Sequence, residues 1–113
     1  MLTVDFTLGG IPYQGLNGGP MYKFNESASI VVMCDDQAEV NRLWDALTAN
    51  GGEPSNCGWL KDRFGLSWQI VPTALPKLLG DPDPGRAQRA MEAMLKMRKI
   101  EIAELERAAA AAA

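Results

Sequence analysis

The sequence predicts an α+β domain: an N-terminal β-hairpin, then a strand–helix module closing in a strand meander, then a helical C-terminal third. Three observations carry this. Apolar and polar residues alternate through residues 2–8. The apolar period lengthens at Val40, Leu43, Trp44 and Leu47, and beyond residue 73 the chain turns to Ala, Leu and Met at helical spacing.

Taken in order, Leu2, Val4, Phe6 and Leu8 alternate with Thr3, Asp5 and Thr7, the pattern of a half-buried strand, which ends at Gly9-Gly10. Residues 11–16 read as its hairpin partner, and Asn17-Gly18-Gly19-Pro20 is too rich in turn formers to continue it. Residues 29–34 form a third strand running into Asp35-Asp36. Val40, Leu43, Trp44 and Leu47 then fall at i, i+3, i+4 and i+7 on one helix face. Asp36 is placed to cap that helix, Glu39 to complete a capping box, and Gly51-Gly52 to end it. Residues 56–63 and 66–71 read as two strands around Phe64-Gly65, with Leu66, Trp68 and Ile70 on one face and Ser67, Gln69 and Val71 on the other. Pro72 ends the sheet. Residues 74–79 form a short helix, Asp81-Pro82-Asp83-Pro84 a linker in which Asp83 and Pro84 make a cap and first-turn pair, and residues 85–107 one long helix. Its stripe of Met91, Met94, Leu95, Ile102 and Leu105 is core or a subunit contact, with an adaptable Met-rich binding surface as the alternative. The domain thus divides into a sheet unit (1–72, with its hairpin at 1–17 and its strand–helix–strand module at 29–72) and a helical extension (73–107). Residues 108–113, all alanine, read as a low-complexity tail or a helical extension with no expected function.

With 113 residues, the chain makes one compact domain with a folded surface of about 6,100 Å². A net charge of −3 without a Lys/Arg cluster excludes a phosphate-tracking surface, so no nucleic-acid partner is expected. No apolar run approaches the roughly 20 residues that span a bilayer, and the first ten residues lack the basic and long apolar regions of a signal peptide; no membrane association and a cytoplasmic location are expected. Cys34 and Cys57 lie in different strands without CxxC spacing and are expected as two reduced thiols. The sequence contains no histidine. Triads built on imidazole, HExxH metal helices and most zinc sites are thereby excluded.

Five segments carry a family resemblance: GLNGGP (15–20), KFNESASI (23–30), DDQAEVNRLWDAL (35–47), CGWLKDRFGLSWQIVP (57–72) and LPKLLGDPDPGRAQRAMEAMLKMRKIEI (75–102). The chain resembles the PhnB-like, or 3-demethylubiquinone-methyltransferase-like, branch of the vicinal-oxygen-chelate superfamily, which includes glyoxalases, bleomycin-resistance proteins and extradiol dioxygenases. The resemblance implies βαβββ modules whose curved sheets face each other around a cavity. Residues 29–71 match one whole module, whereas residues 2–16 match only the last two strands of another; the opening strand and helix have no counterpart. The chain is therefore read as a short form or as a fragment of a longer protein. A sheet edge left open in this way tends to be covered, so a homodimer is expected, with strands or the C-terminal helix exchanged as related proteins exchange modules. The methyltransferase name finds no support here, because no Gly-rich turn for S-adenosylmethionine is present.

Metal-using relatives hold a divalent ion with His, Glu or Gln. The resemblance places Ser29 at the usual His position, Gln69 at the usual Glu position, and Asn17 as a looser counterpart of the other module's carboxylate. Such neutral side chains are weak ligands, so no metal and no cofactor is expected. By strand alternation Ser29, Val31, Met33, Ser67, Gln69 and Val71 face the concave side, with Tyr13, Phe24, Trp59 or Trp68 near its rim. The candidate ligand-binding set is Asn17, Ser29, Met33, Trp59, Ser67 and Gln69, for a small organic molecule. Each has a plainer reading: Asn17 as a turn residue, Trp44 and Trp68 as core, Asp62 as a turn former. Asp5, Glu26 and Glu53 are the carboxylates open to acid–base work. Two other functions compete with the binding protein: a metal-dependent isomerase, lyase or dioxygenase, and a remnant whose property is self-association.

Overall fold

The computed structural model describes residues 2–111, in which ten elements follow in chain order: β1 (Thr3–Leu8), β2 (Ile11–Leu16), β3 (Ser29–Cys34), α1 (Gln37–Thr48), β4 (Glu53–Pro54), β5 (Trp59–Lys61), β6 (Ser67–Pro72), α2 (Ala74–Leu79), α3 (Pro84–Leu95) and α4 (Ile102–Ala110). The α+β class and the glyoxalase-like βαβββ module are as expected from the sequence.

β1 and β2 pair antiparallel from Thr3↔Leu16 to Leu8↔Ile11. Gly9 (φ 56°) and Gly10 (φ 81°) supply the two positive φ values of a tight hairpin turn whose twist matches the strands. Residues opposite each other share a face, so Val4, Phe6, Leu8, Ile11 and Tyr13 form one apolar side, with the Phe6 and Tyr13 rings stacked at 5.6 Å. That side is uncovered: Phe6 is 43% and Ile11 57% exposed. The two strands pack extensively only on each other, an arrangement that is marginal in water. The ribbon gives the molecule extents of 58 × 26 × 23 Å and a radius of gyration of 16.6 Å, against about 13 Å for a compact domain of this length.

The second sheet has the order β3-β6-β5-β4. β3 and β6 run parallel because α1 carries the chain back over the sheet, and the remaining pairs are antiparallel. β3 is therefore an edge strand. α1 covers one face, burying Val40 and Trp44 against Cys34, Leu60 and Ile70, with Val32, Leu43, Leu47 and Trp68 packed around them. Trp44 and Trp68 are thus core residues, and Trp68 does not reach the concave rim. Its indole N–H donates to Asp62 Oδ2 (2.9 Å), while Asp62 Oδ1 accepts from the Phe64 and Leu66 amides and sets the β5–β6 turn.

Asp36 caps α1, its carboxylate accepting from the Glu39 amide at 2.9 Å. The other half of the expected capping box does not form, because Glu39 pairs with Arg42 at 2.7 Å. Asp36→Ala should lower the unfolding free energy by about 1 kcal/mol, read from a urea transition followed by circular dichroism; an unchanged midpoint would contradict the capping role.

The C-terminal third departs from the single helix expected over residues 85–107. α3 ends at Leu95, and α4 starts at Ile102. Contacts outweigh helical continuity here: the Cys57 and Gly58 amides donate to the Met97 and Arg98 carbonyls (2.8 Å each), and the Gln37 side chain spans the Ile100 carbonyl and the Ile102 amide. The same contacts correct the strand expected from residue 56. Cys57 (φ 58°) and Gly58 (φ 86°) are left-handed, so β5 begins only at Trp59. Leu75, Ile100 and Leu105 form a second small core at the end of the sheet. The alanine run contributes to it: Ala108–Ala110 continue α4, Ala109 is fully buried, and the Arg89 guanidinium donates to the Ala108 and Ala109 carbonyls, capping the helix. Ala112 and Ala113, like Met1, lie outside the described residues. Both cysteines are free thiols; burial pushes the Cys34 thiol above its ordinary value.

Candidate functional site

Opposite α1, the main sheet is open. Strand alternation and register place its side chains in rows: Lys61, Ser67 and Ser29 in one, Trp59, Gln69 and Val31 in the next, then Val71 and Met33. Gln69 Nε2 donates to Ser29 Oγ at 3.0 Å across the β3–β6 pair, so two of the predicted site residues meet directly. Met33 lies on the same face, 49% exposed, beside Val31 at 53%. Val71 instead packs partly against the C-terminal core.

Trp59 and Ser67 are brought together in a groove of about 540 Å³ along β4 and β5, whose walls include Glu26, Glu53, Asn56 and Lys61. Ser67 is 1% exposed, and among the described residues its Oγ is the one buried side-chain polar atom without a hydrogen-bond partner. A buried hydroxyl needs such a partner, since one left unpaired costs about 1–3 kcal/mol. Lys61 Nζ bridges to Glu26 at 2.6 Å and faces Glu53 across the β4–β5 pair. Lys61's hydrogen bond and charge hold the Glu26 carboxyl below its ordinary value, the opposite of what a general acid at neutral pH needs. Asp5 does not join Glu26 and Glu53, since it accepts from Gln14 on the hairpin.

Asn17 is not part of this site. It lies at the foot of the hairpin, its amide donating to the Leu2 carbonyl, in a separate groove with Leu2, Val4, Leu16 and Phe64. Tyr13, placed near the rim from sequence, is likewise on the hairpin, stacked on Phe6. Lys61 and Asn56 were not anticipated. Lys61 was within reach of the strand period, two residues beyond Trp59, whereas Asn56 enters through the left-handed turn that follows it, which no alternation announces.

A divalent ion does not fit the Ser29–Gln69 pair. Both side chains are neutral, and the amide of one is engaged by the hydroxyl of the other. Among the described residues no three His, Cys, Asp or Glu side chains are grouped to hold a metal, and no helix is long and apolar enough to cross a membrane.

The sequence model of a family described as 3-demethylubiquinone-9 3-methyltransferase matches residues 1–71. Among solved structures, a PhnB protein of Bacillus cereus described by the same family name is 23% identical, with a TM-score of 0.59 over 64% of each chain. A Pseudomonas aeruginosa protein is 22% identical, with a TM-score of 0.52 over 64% of this chain and 62% of its own. The chain spans less than two thirds of the length of either. A search of curated proteins gave no match.

Proposed function

The chain belongs to the 3-demethylubiquinone-9 3-methyltransferase family, the PhnB-like branch of the glyoxalase fold, and from this premise we propose that it is a metal-independent binding protein for a small organic molecule. In this reading two copies associate, and the ligand sits on the open sheet face against Ser29, Met33, Trp59, Ser67 and Gln69. The observation that carries it is that one chain leaves two apolar surfaces uncovered, the hairpin side of Val4, Phe6, Leu8 and Ile11 and the sheet patch of Val31 and Met33, the latter beside the polar Ser29–Gln69 pair. Supporting it, the accessible surface of 7672 Å² exceeds that of a compact monomer by roughly 1,600 Å², about twice what each partner buries in a standard interface. Apolar patches of this kind mark association surfaces, and an apolar wall with a few polar groups suits a small ligand.

The test is titration of the intact chain with benzyl alcohol, benzylamine and benzoate, followed by NMR of the Gln69 side-chain amide and the Trp59 indole N–H. At least one probe should shift both signals, and Gln69→Leu or Ser29→Leu, read at the Trp59 indole, should weaken binding at least about tenfold while the dimer persists. A dimer silent to all three probes would leave self-association as the chain's property and overturn the ligand reading.

A further inference from the structure

We propose that the groove along β4 and β5 takes a primary organic ammonium carried on a flat ring, an assignment that rests on the ligand-binding reading and names the ligand's class. The first support is the unpartnered Ser67 Oγ, 1% exposed and on the same sheet face as Trp59 and Lys61. A buried hydroxyl calls for a hydrogen-bond partner, and this one lines the groove, where a ligand's N–H can supply it.

The second support is the balance of charge. The groove holds two carboxylates, Glu26 and Glu53, and one ammonium, Lys61. Lys61 is already engaged by Glu26 at 2.6 Å and stands opposite Glu53 in the strand register. An incoming anion would meet a neutralised lysine and a surplus carboxylate; an incoming cation meets that surplus favourably. A primary ammonium has three N–H donors and no acceptor. Glu26, Glu53 and the Ser67 hydroxyl oxygen offer it three acceptors.

The third support is Trp59. Its indole is half-buried, two residues from Lys61 on the same face, and gives the apolar part of a ligand a plane to stack on. An aromatic face also attracts a cation. A groove of about 540 Å³ is of ligand size.

The three matched probes separate this assignment from the reading it rests on. Benzylamine should bind roughly tenfold or more tightly than benzyl alcohol or benzoate at neutral pH, moving the Trp59 indole and the Glu53, Lys61 and Ser67 amides. Lys61→Gln should strengthen benzylamine binding and Glu53→Gln weaken it, each by about two- to fivefold. Glu53 is exposed and Lys61 half-buried, and neither side chain belongs to either core, so the fold survives either change. Equal affinity for the three probes, or a preference for benzoate, would overturn the ammonium assignment while leaving the ligand site standing. Silence toward all three would overturn both.

Discussion

Phe6→Asp is expected to convert a dimer into a monomer of 12.3 kDa. Phe6 sits at the centre of the apolar hairpin side, stacked on Tyr13, with 43% of its surface still open. Covering the open part of that side chain with a second copy contributes about 1 kcal/mol. Burying a carboxylate there instead costs several kcal/mol. In a two-fold dimer each change counts twice, so the dissociation constant should rise by a factor of roughly a thousand or more. Thr7→Asp, one residue along and on the opposite side of the ribbon, should leave the dimer intact. Because β1 and β2 pack extensively only on each other, the core around Trp44 stays folded in both variants, and light scattering at matched concentrations reads association alone. Equal masses for Phe6→Asp and the unsubstituted chain would show that this face is not where the copies meet.

Ile100→Ala is expected to give the largest loss of stability of a single side-chain truncation in the C-terminal third, about 2–5 kcal/mol. Ile100 is fully buried with Leu75 and Leu105, and a Cβ at Gly58 would lie 3.1 Å from its Cγ1, so the β5 turn presses directly upon it. Its carbonyl also receives the Gln37 amide, which ties the cap to α1. Truncation empties the point at which helices, turn and sheet end converge. For a domain whose total stability is of the order of 5–15 kcal/mol, this is a large fraction. Leu95→Ala, at a 60% exposed position on α3, should change stability by no more than about 0.5 kcal/mol. Matched denaturant midpoints for the two variants would mean that the helical cap is not held through Ile100.

The elements that sequence periodicity revealed are those whose packing is local. α1 buries one stripe against one sheet face, and Val40 and Trp44 announce that stripe at a spacing of four. The hairpin is legible because Gly9-Gly10 satisfies a turn that only residues tolerant of positive φ can make. The break between α3 and α4 was hidden, since Lys96, Met97, Arg98 and Lys99 are all acceptable helix formers. What unwinds them is distant chain: the Cys57 and Gly58 amides and the Gln37 side chain. The candidate site divides in the same way. Ser29, Ser67 and Gln69 share a face by strand period, and register joins them; Asn17 has no regular element to carry it there and stays at the hairpin foot. The Glu26–Lys61 pair depends on the irregular segment between β2 and β3, where no period operates.

In the proposed assembly a second copy covers the apolar hairpin and completes the ligand face. Native mass spectrometry of the intact chain tests this most directly, since it weighs the assembly and anything it retains. The predicted result is a species of twice 12.3 kDa that persists on dilution to low micromolar concentration. A monomer at every concentration, with no retained organic mass, would contradict it.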